Sequence, residues 1–326
     1  MENKIIIIGD IHFKTEPKPF HDGLMKLFYE HIIPTYKDDI LILTGDVLDS
    51  ASKVRWDLYD EIINIFSKFS QVHIVVGNHD FSDTVGNALK PLTKLSNVHV
   101  YPQETEVIIN GLKFLFLPYQ DLDYMQKVYT DYEWEGDYSV THIAPPNTSY
   151  GIGEIELKNV KVNNAIIHGH IHTYSEFEDT LKNKNIILGV PQTTRNLEQN
   201  SIKKVCVIDS KGYSLNNLPE YYTIQDIIFG EFPENKNNIL NVKEAPSKKA
   251  VFDLYKDYFI RLEGIECKMN KDEISITLED IQNKNESLLE HKISKFYKEK
   301  DISNEIQNCI NSYYLKINTS VLENIV

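Results

Sequence analysis

Short apolar runs alternate with helically spaced segments through the first two-thirds of the chain. KIIIIGD (4–10) is a continuous β-branched run that stops at a carboxylate, and DILILTGD (39–46) and QVHIVVGNHD (71–80) repeat the pattern. Between them, GLMKLFYEHIIPTY (23–36) and VRWDLYDEIINIFSKF (54–69) carry apolar residues at three- and four-residue spacing, which predicts helices. The alternation marks a layered α/β domain. Later runs are VIINGLKFLFLPY (107–119), a hairpin turning at Asn110-Gly111, then YSVTH (138–142), NAIIHGH (164–170), NIILGV (185–190) and KKVCVID (203–209). They lie close together without long helices between them. That predicts an α/β fold with a two-layered β-sheet sandwich core flanked by helices, not a plain doubly wound sheet.

The pattern changes after about residue 215. FPENKNNILNVKEAPSK (232–248) is polar and rich in Pro and Asn, and reads as a linker or long loop. KKAVFDLYKDYFIRL (248–262) has a helical apolar stripe, ISITLED reads as a short strand, and SLLEHKISKFYKEK and NEIQNCINSYYLKI read as further helix. The expected division is a core over 1–215, a small α+β appendage over 216–285 and a helical segment over 286–326. YTDYEWEGDY (129–138) reads as a solvated loop. GIGEIE (151–156) lacks the third glycine of a nucleotide-binding turn.

Length changes this picture little: 326 residues suit one large domain of ~200–250 residues with an appendage. No apolar stretch approaches the ~20 residues that span a bilayer, so no membrane association is expected. The start, MENKIIIIGD, reads as a strand and not as a signal peptide. Cys206, Cys267 and Cys309 lie far apart, which argues for a reducing cytoplasm and against thiolate metal ligands. Net charge is −14, so the overall field repels nucleic acid. A polyanionic substrate would have to be met by bound cations, by local lysines such as Lys14, Lys18, Lys203 and Lys204, or by a partner.

The chemistry gathers at strand ends. G-D-I-H (9–12), G-D-V-L-D (45–49) and G-N-H-D (77–80) end three consecutive strands, and the later strands add His142 and H-G-H-I-H (168–172). Strand C-termini in α/β sheets converge on one crevice, so these residues can meet in space. Asp10, His12, Asp46, Asn78, His142, His170 and His172 make seven nitrogen and oxygen donors, too many for one ion. Two divalent cations about 3.5–4 Å apart would use them all, with Asp46 as the natural bridge. The imidazole-rich set without thiolate suits Mn, Fe, Co or Zn. Asp80 reads as an anchor of its turn, and His168 as packing or support for the neighbouring ligand.

In this order, D-x-H, G-D-x-x-D, G-N-H-D, a lone His after a strand and G-H-x-H resemble the calcineurin-like metallophosphoesterases, over residues 5 to about 210. The resemblance implies one cation held by Asp10, His12, Asp46 and His172, and a second by Asp46, Asn78, His142 and His170. It implies that His79 sits beside the phosphate, where a protonated ring would stabilise developing charge and protonate the leaving oxygen. The core-plus-tail arrangement, LFLPYQDL (115–122) and the loop GVPQTTRNLEQN (189–200) are similar to the nuclease subunits of bacterial SbcCD complexes and their tailed-phage counterparts. Asp49 stands where the archaeal and eukaryotic branch has a histidine, so a role tied to that histidine does not carry over.

That resemblance implies a manganese-dependent exo- and endonuclease acting on DNA ends in recombination and repair, with a coiled-coil SMC-like ATPase as partner. It also implies a homodimer face on the helices at 23–36 and 54–69, and a docking element for the ATPase in SLLEHKISKFY. Arg195 is placed either against a phosphodiester or in a salt bridge with one of the many acids. Two other readings stand: a phosphoesterase acting on a small phosphodiester or phosphoprotein, and a non-catalytic scaffold. A scaffold would be expected to lose ligands or the histidine of G-N-H-D, and all are present here.

Overall fold

The computed structural model describes residues 3–146, 148, 153–194, 198, 201–233, 238–243 and 248–261. The first apolar run forms β1 (Ile5–Ile8), and α1 (Lys18–Lys26) follows. The helix begins five residues before the expected start, with Pro17 as its N-cap and Pro19 in its first turn, where a missing N–H costs nothing. It passes through a wide turn (Leu27–Ile32) into the short α2 (Ile33–Tyr36). Pro34 lies in that last turn, and the widening accommodates a ring that would strike the carbonyl four residues back in regular helix. Next come β2 (Ile40–Leu43), α3 (Trp56–Phe66) and β3 (Gln71–Val75). A hairpin of two-residue strands, β4 (Phe81–Ser82) and β5 (Gly86–Asn87), leads to β6 (Val98–Tyr101).

The second half opens with β7 (Thr105–Ile109) and β8 (Leu112–Leu117). Their two-residue turn puts both Asn110 and Gly111 at positive φ (49° and 78°), the conformation that Asn-Gly adopts most readily. Then come α4 (Leu122–Val128), β9 (Trp134–Thr141), β10 (Val160–His168), β11 (Ser175–Glu178) and β12 (Lys184–Ile187). The chain returns to the first sheet with β13 (Lys204–Asp209) and β14 (Gly212–Asn217). Two six-stranded sheets result, ordered β14-β13-β1-β2-β3-β6 and β11-β12-β10-β9-β8-β7. In each, four adjacent strands run parallel: β1, β2, β3 and β6, and β12, β10, β9 and β8.

Burial explains why the strand runs are apolar throughout. Side chains alternate between the two faces of a strand, and here both faces are covered. Ile5, Ile7, Ile40, Ile42 and Val75 pack inward against Phe114, Phe116, Tyr138, Val140 and Ile167 of the second sheet. Ile6, Ile8, Leu41, Leu43 and Ile74 pack outward against Leu24, Phe28, Ile62, Ile65 and Phe66 of the helices. The sheet sandwich flanked by helices is therefore the observed fold.

Three local readings need correction. The apolar stripe at 248–262 is helical only over Lys248–Leu254, because Phe259–Arg261 pair as a strand with Ile239–Asn241. The stretch 129–138 is not a solvated loop: Tyr129 and Tyr138 are fully buried, Trp134 opens β9, and the Tyr129 hydroxyl donates to the Pro118 carbonyl at 2.9 Å. Aromatic burial outweighs the four acids around it. The polar segment 232–248 contains β16 (Ile239–Lys243), which pairs in parallel with β15 (Ile224–Ile228) and β17 (Phe259–Arg261); α5 (Lys248–Leu254) lies between β16 and β17. Ile239, Leu240 and Val242 are buried there, enough to form a strand among Asn and Pro. ISITLED and the helical segments beyond it lie outside the described residues. Among the described residues no helix is long and apolar enough to cross a membrane.

Candidate metal centre

Parallel strands bring their C-terminal ends to one edge, and each carries its polar residue into a tight loop. The loops after β1 and β2 run side by side: His12 N donates to the Asp46 carbonyl at 2.9 Å and Phe13 N to that of Val47 at 2.7 Å. His12, Asp46 and His170 all adopt positive φ (51°, 47° and 72°), which non-glycine residues hold only when their surroundings impose it. Gly45, at φ +115°, packs so tightly that a Cβ would strike the His142 ring, and one on Gly77 would strike Asp46. Asp80 anchors these turns. Its carboxylate accepts from Gly77 N (3.0 Å), Leu48 N (2.9 Å) and Val47 N (3.3 Å), joining the second loop to the third.

All seven expected donors come together. Nε2 of His12 and Nε2 of His172 lie 3.0 Å apart, and His12 Nε2 is 3.7 Å from Asp46 Oδ2. Asp10, Asp46 and His142 form a second group, so Asp46 belongs to both. His142 Nε2 is 3.4 Å from Asp46 Oδ1 and 3.1 Å from Asn78 Oδ1, and His170 Nδ1 is 2.9 Å from the same Asn78 oxygen. Asp10 falls beside His142 (3.6 Å), although the resemblance assigns it to the His12 side; its Oδ1 accepts from His170 N at 3.1 Å. His142 donates Nδ1–H to the Thr44 carbonyl at 2.9 Å, which turns Nε2 to the centre.

His79 is built differently. Its backbone N–H donates to Asp46 Oδ1 at 2.8 Å, and its Nδ1–H donates to the Asp49 carbonyl at 2.6 Å, so Nε2 carries no part of that framework. His79 and Asn78 line a surface hollow together with Ser50, Ser52, Phe81 and Ser82. The Asp49 side chain pairs with Lys14 at 2.7 Å. His168 is buried between Thr141 Oγ1 (2.7 Å) and Asn185 Oδ1 (2.9 Å), away from the donor groups, and burial pushes its pKa down to about 4. Arg195 lies outside the described residues.

Burial and neighbouring charge shift the donors in different directions. Burial works against charge on His142, but Asp46 and Asp10 outweigh it and lift its pKa to about 9. Burial likewise opposes charge on Asp46, yet His142 and His12 hold its carboxyl below the usual range. Burial pushes Asp10 up to about 6. Burial pulls His12 well below its ordinary value and, with His142, lowers His170 to about 4. His12 and His170 are thus neutral and keep the lone pairs a cation requires, whereas His142 would release a proton on binding one.

The donor set fits divalent cations. Asp10 Oδ2 and His12 Nδ1 are buried without a hydrogen-bond partner, and two imidazole nitrogens face each other beside an anionic carboxylate. Buried polar atoms without partners are rare unless something else meets them. Carboxylate, amide and imidazole donors without thiolate suit Mn, Fe, Co or Zn.

Two participants escaped the sequence reading. Glu198, buried, accepts from His172 Nδ1–H at 2.6 Å. Its only sequence signal was a lone acid in the loop that follows G-H-x-H. Tyr119, of the Leu-Pro-Tyr segment, stacks on the His170 ring at 5.9 Å and 29°.

The family model for calcineurin-like phosphoesterases matches residues 3–174. No curated protein sequence matches the chain. Among solved structures, an archaeal phosphodiesterase is 16% identical over 66% of this chain and 99% of its own, with a TM-score of 0.34. The nuclease MPE of Pseudomonas putida is 13% identical over 62% and 83%, with a TM-score of 0.33. The NAD nucleotidase of Haemophilus influenzae is 12% identical over 66% and 49%, with a TM-score of 0.36.

Proposed function

The chain belongs to the calcineurin-like phosphoesterase family, and on that premise we propose that it is a metal-dependent nuclease that hydrolyses phosphodiester bonds at DNA ends. The observation that carries this is the shared carboxylate: Asp46 belongs both to the group with His12 and His172 and to the group with Asp10 and His142. In this reading Asp10, His12, Asp46, Asn78, His142, His170 and His172 hold two divalent cations, manganese being the expected metal. A bound pair would supply the positive charge that a phosphodiester needs and would acidify a water for attack.

The remaining work falls to the chain itself. His79 is oriented by its Nδ1–H bond to the Asp49 carbonyl, so Nε2 is the atom that would carry a proton to a leaving oxygen. The Asp46 carboxylate is steadied by the His79 N–H, which couples the ring's position to the donor groups. Asp80 holds both loops in place and touches no reacting atom.

Support for DNA as the substrate comes from the two segments that resemble those of SbcCD-type nuclease subunits. Leu-Pro-Tyr delivers Tyr119 onto His170, and the loop after Gly189 delivers Glu198 onto His172. The net charge of −14 fits an enzyme that meets DNA through bound cations and a partner. A coiled-coil ATPase and a second copy of the chain belong to the same proposal. The test is cleavage of duplex DNA ends with manganese, with and without such an ATPase; absence of cleavage in both conditions would overturn the DNA assignment, and hydrolysis of small phosphodiesters alone would favour the small-substrate alternative.

A further inference from the structure

Glu198 lies 26 positions beyond His172 and is only 2% exposed. Burying a carboxylate is costly unless it is well bonded, and this one is. Oε1 accepts from His172 Nδ1 at 2.6 Å, both oxygens accept from the Thr194 hydroxyl (2.9 and 2.8 Å), and Oε2 accepts from Thr194 N at 2.5 Å. The Glu198 carbonyl accepts from Lys203 Nζ at 2.9 Å, and that lysine is itself buried. Backbone and side chain are thus both clamped behind the His172 ring.

The contact on the ring's other side shows what this achieves. His172 Nε2 faces His12 Nε2 at 3.0 Å. A neutral imidazole carries one N–H, on either nitrogen. With the proton on Nε2, His172 would donate to His12 and form a satisfied pair of histidines, with no lone pair left for a cation. A carboxylate can only accept, so the bond to Glu198 keeps the proton on Nδ1 and the Nε2 lone pair toward His12 and Asp46.

We propose that Glu198 is the positioning residue of the metal centre: it selects the Nδ1–H tautomer of His172, aims Nε2 at the cation and raises its basicity. This rests on the metal-centre reading above. A carboxylate behind a ligating imidazole typically contributes about 10–100-fold in metal affinity. A role limited to stapling the loop to the sheet would instead act through Thr194 and Lys203, and would leave the tautomer alone.

The test uses the full-length chain stripped of metal. Manganese is titrated by calorimetry, and the His172 tautomer is read from long-range nitrogen-proton NMR spectra without metal. For Glu198→Ala we expect one of two binding events to weaken about 10–100-fold, with Nε2–H signal appearing at His172. Glu198→Gln, whose amide oxygen still accepts, should keep Nδ1–H and weaken binding through its lost charge, by less than Glu198→Ala does. Thr194→Val, which removes one donor to the carboxylate but keeps the backbone N–H bond and the carboxylate itself, should weaken binding much less than Glu198→Ala does. Unchanged manganese affinity in Glu198→Gln overturns the proposal even if Glu198→Ala does not fold, and so does a Thr194→Val defect as large as that of Glu198→Ala. Wild-type protein that takes up no manganese contradicts the metal-centre reading itself, before any variant is made.

Discussion

The Nε2 atoms of His12 and His172 lie 3.0 Å apart, although one histidine follows β1 of the first sheet and the other follows β10 of the second. Neither ring reaches solvent appreciably, and the Asp46 carboxylate lies 3.7 Å from His12. The two sheets pack by ordinary aliphatic and aromatic burial. Their parallel strands then end at the same edge, so packing of Ile and Phe decides where imidazoles and carboxylates meet. His142, from β9, reaches the other oxygen of the same Asp46.

In the proposed function, His79 serves catalysis and not metal binding. Replacing it by Ala keeps the backbone N–H that holds Asp46 and removes only the ring. The expected result is a fall in kcat of about 10²- to 10⁴-fold on a phosphodiester, with manganese affinity close to wild type. Steady-state kinetics beside calorimetry decide it; a parallel loss of metal would show that the ring acts through the centre.

Asp80 is expected to matter for stability. Asp80→Ala leaves the N–H groups of Gly77, Val47 and Leu48 without this acceptor. At about 1–3 kcal/mol for each buried donor left unpaired, the loss should reach about 3 kcal/mol or more. Asp80→Asn, which keeps an acceptor oxygen, should lose less. Urea unfolding of both variants measures this, and a loss below about 1 kcal/mol for Ala would contradict the anchoring role.

Gly45 and Gly212 form a matched pair. Both sit at strongly positive φ, +115° and +112°, but a Cβ on Gly45 would strike His142 while one on Gly212 meets nothing. Each Gly→Ala change carries a backbone cost of about 1–3 kcal/mol. Only Gly45→Ala should also weaken manganese binding. Equal metal affinities in the two variants would show that His142 can shift without consequence.

His73 gives a pH dependence away from the centre. It is buried, bonded to the Tyr101 hydroxyl at 2.8 Å and to Gln71 Oε1 at 3.0 Å, and stacked on His99 at 4.9 Å. Burial, with a smaller contribution from His99, lowers its pKa from 6.5 to about 3. The unfolded chain takes up this proton below pH 6.5 and the folded chain does not, so stability is full above 6.5 and falls as pH drops toward 3. His73→Gln removes this contribution. The stability advantage of wild type over the variant should therefore shrink by about 2–3 kcal/mol between pH 7 and pH 4. A pH-independent difference would contradict it.

The donor residues were legible because each ends an unmistakable strand, as IIIIGD, ILILTGD and HIVVGNHD do. The fold was legible for the same reason: continuous apolar runs imply two covered faces. Glu198 was not, because nothing local announces that an acid will fold back 26 positions onto a histidine. Strand β16 and the buried Tyr129 were hidden by the polar residues around them. In each case tertiary burial of a few apolar side chains outweighs local composition. The helix ends at Tyr36 as its apolar pattern implies, but the wide turn that accommodates Pro34 was not anticipated.

The most direct test is anomalous diffraction from crystals of the full chain grown with manganese. The account predicts two separate manganese peaks in the crevice, both within coordinating reach of Asp46, and none in crystals of Asp46→Ala. A single peak, an empty crevice, or two ions that Asp46 does not touch would contradict it.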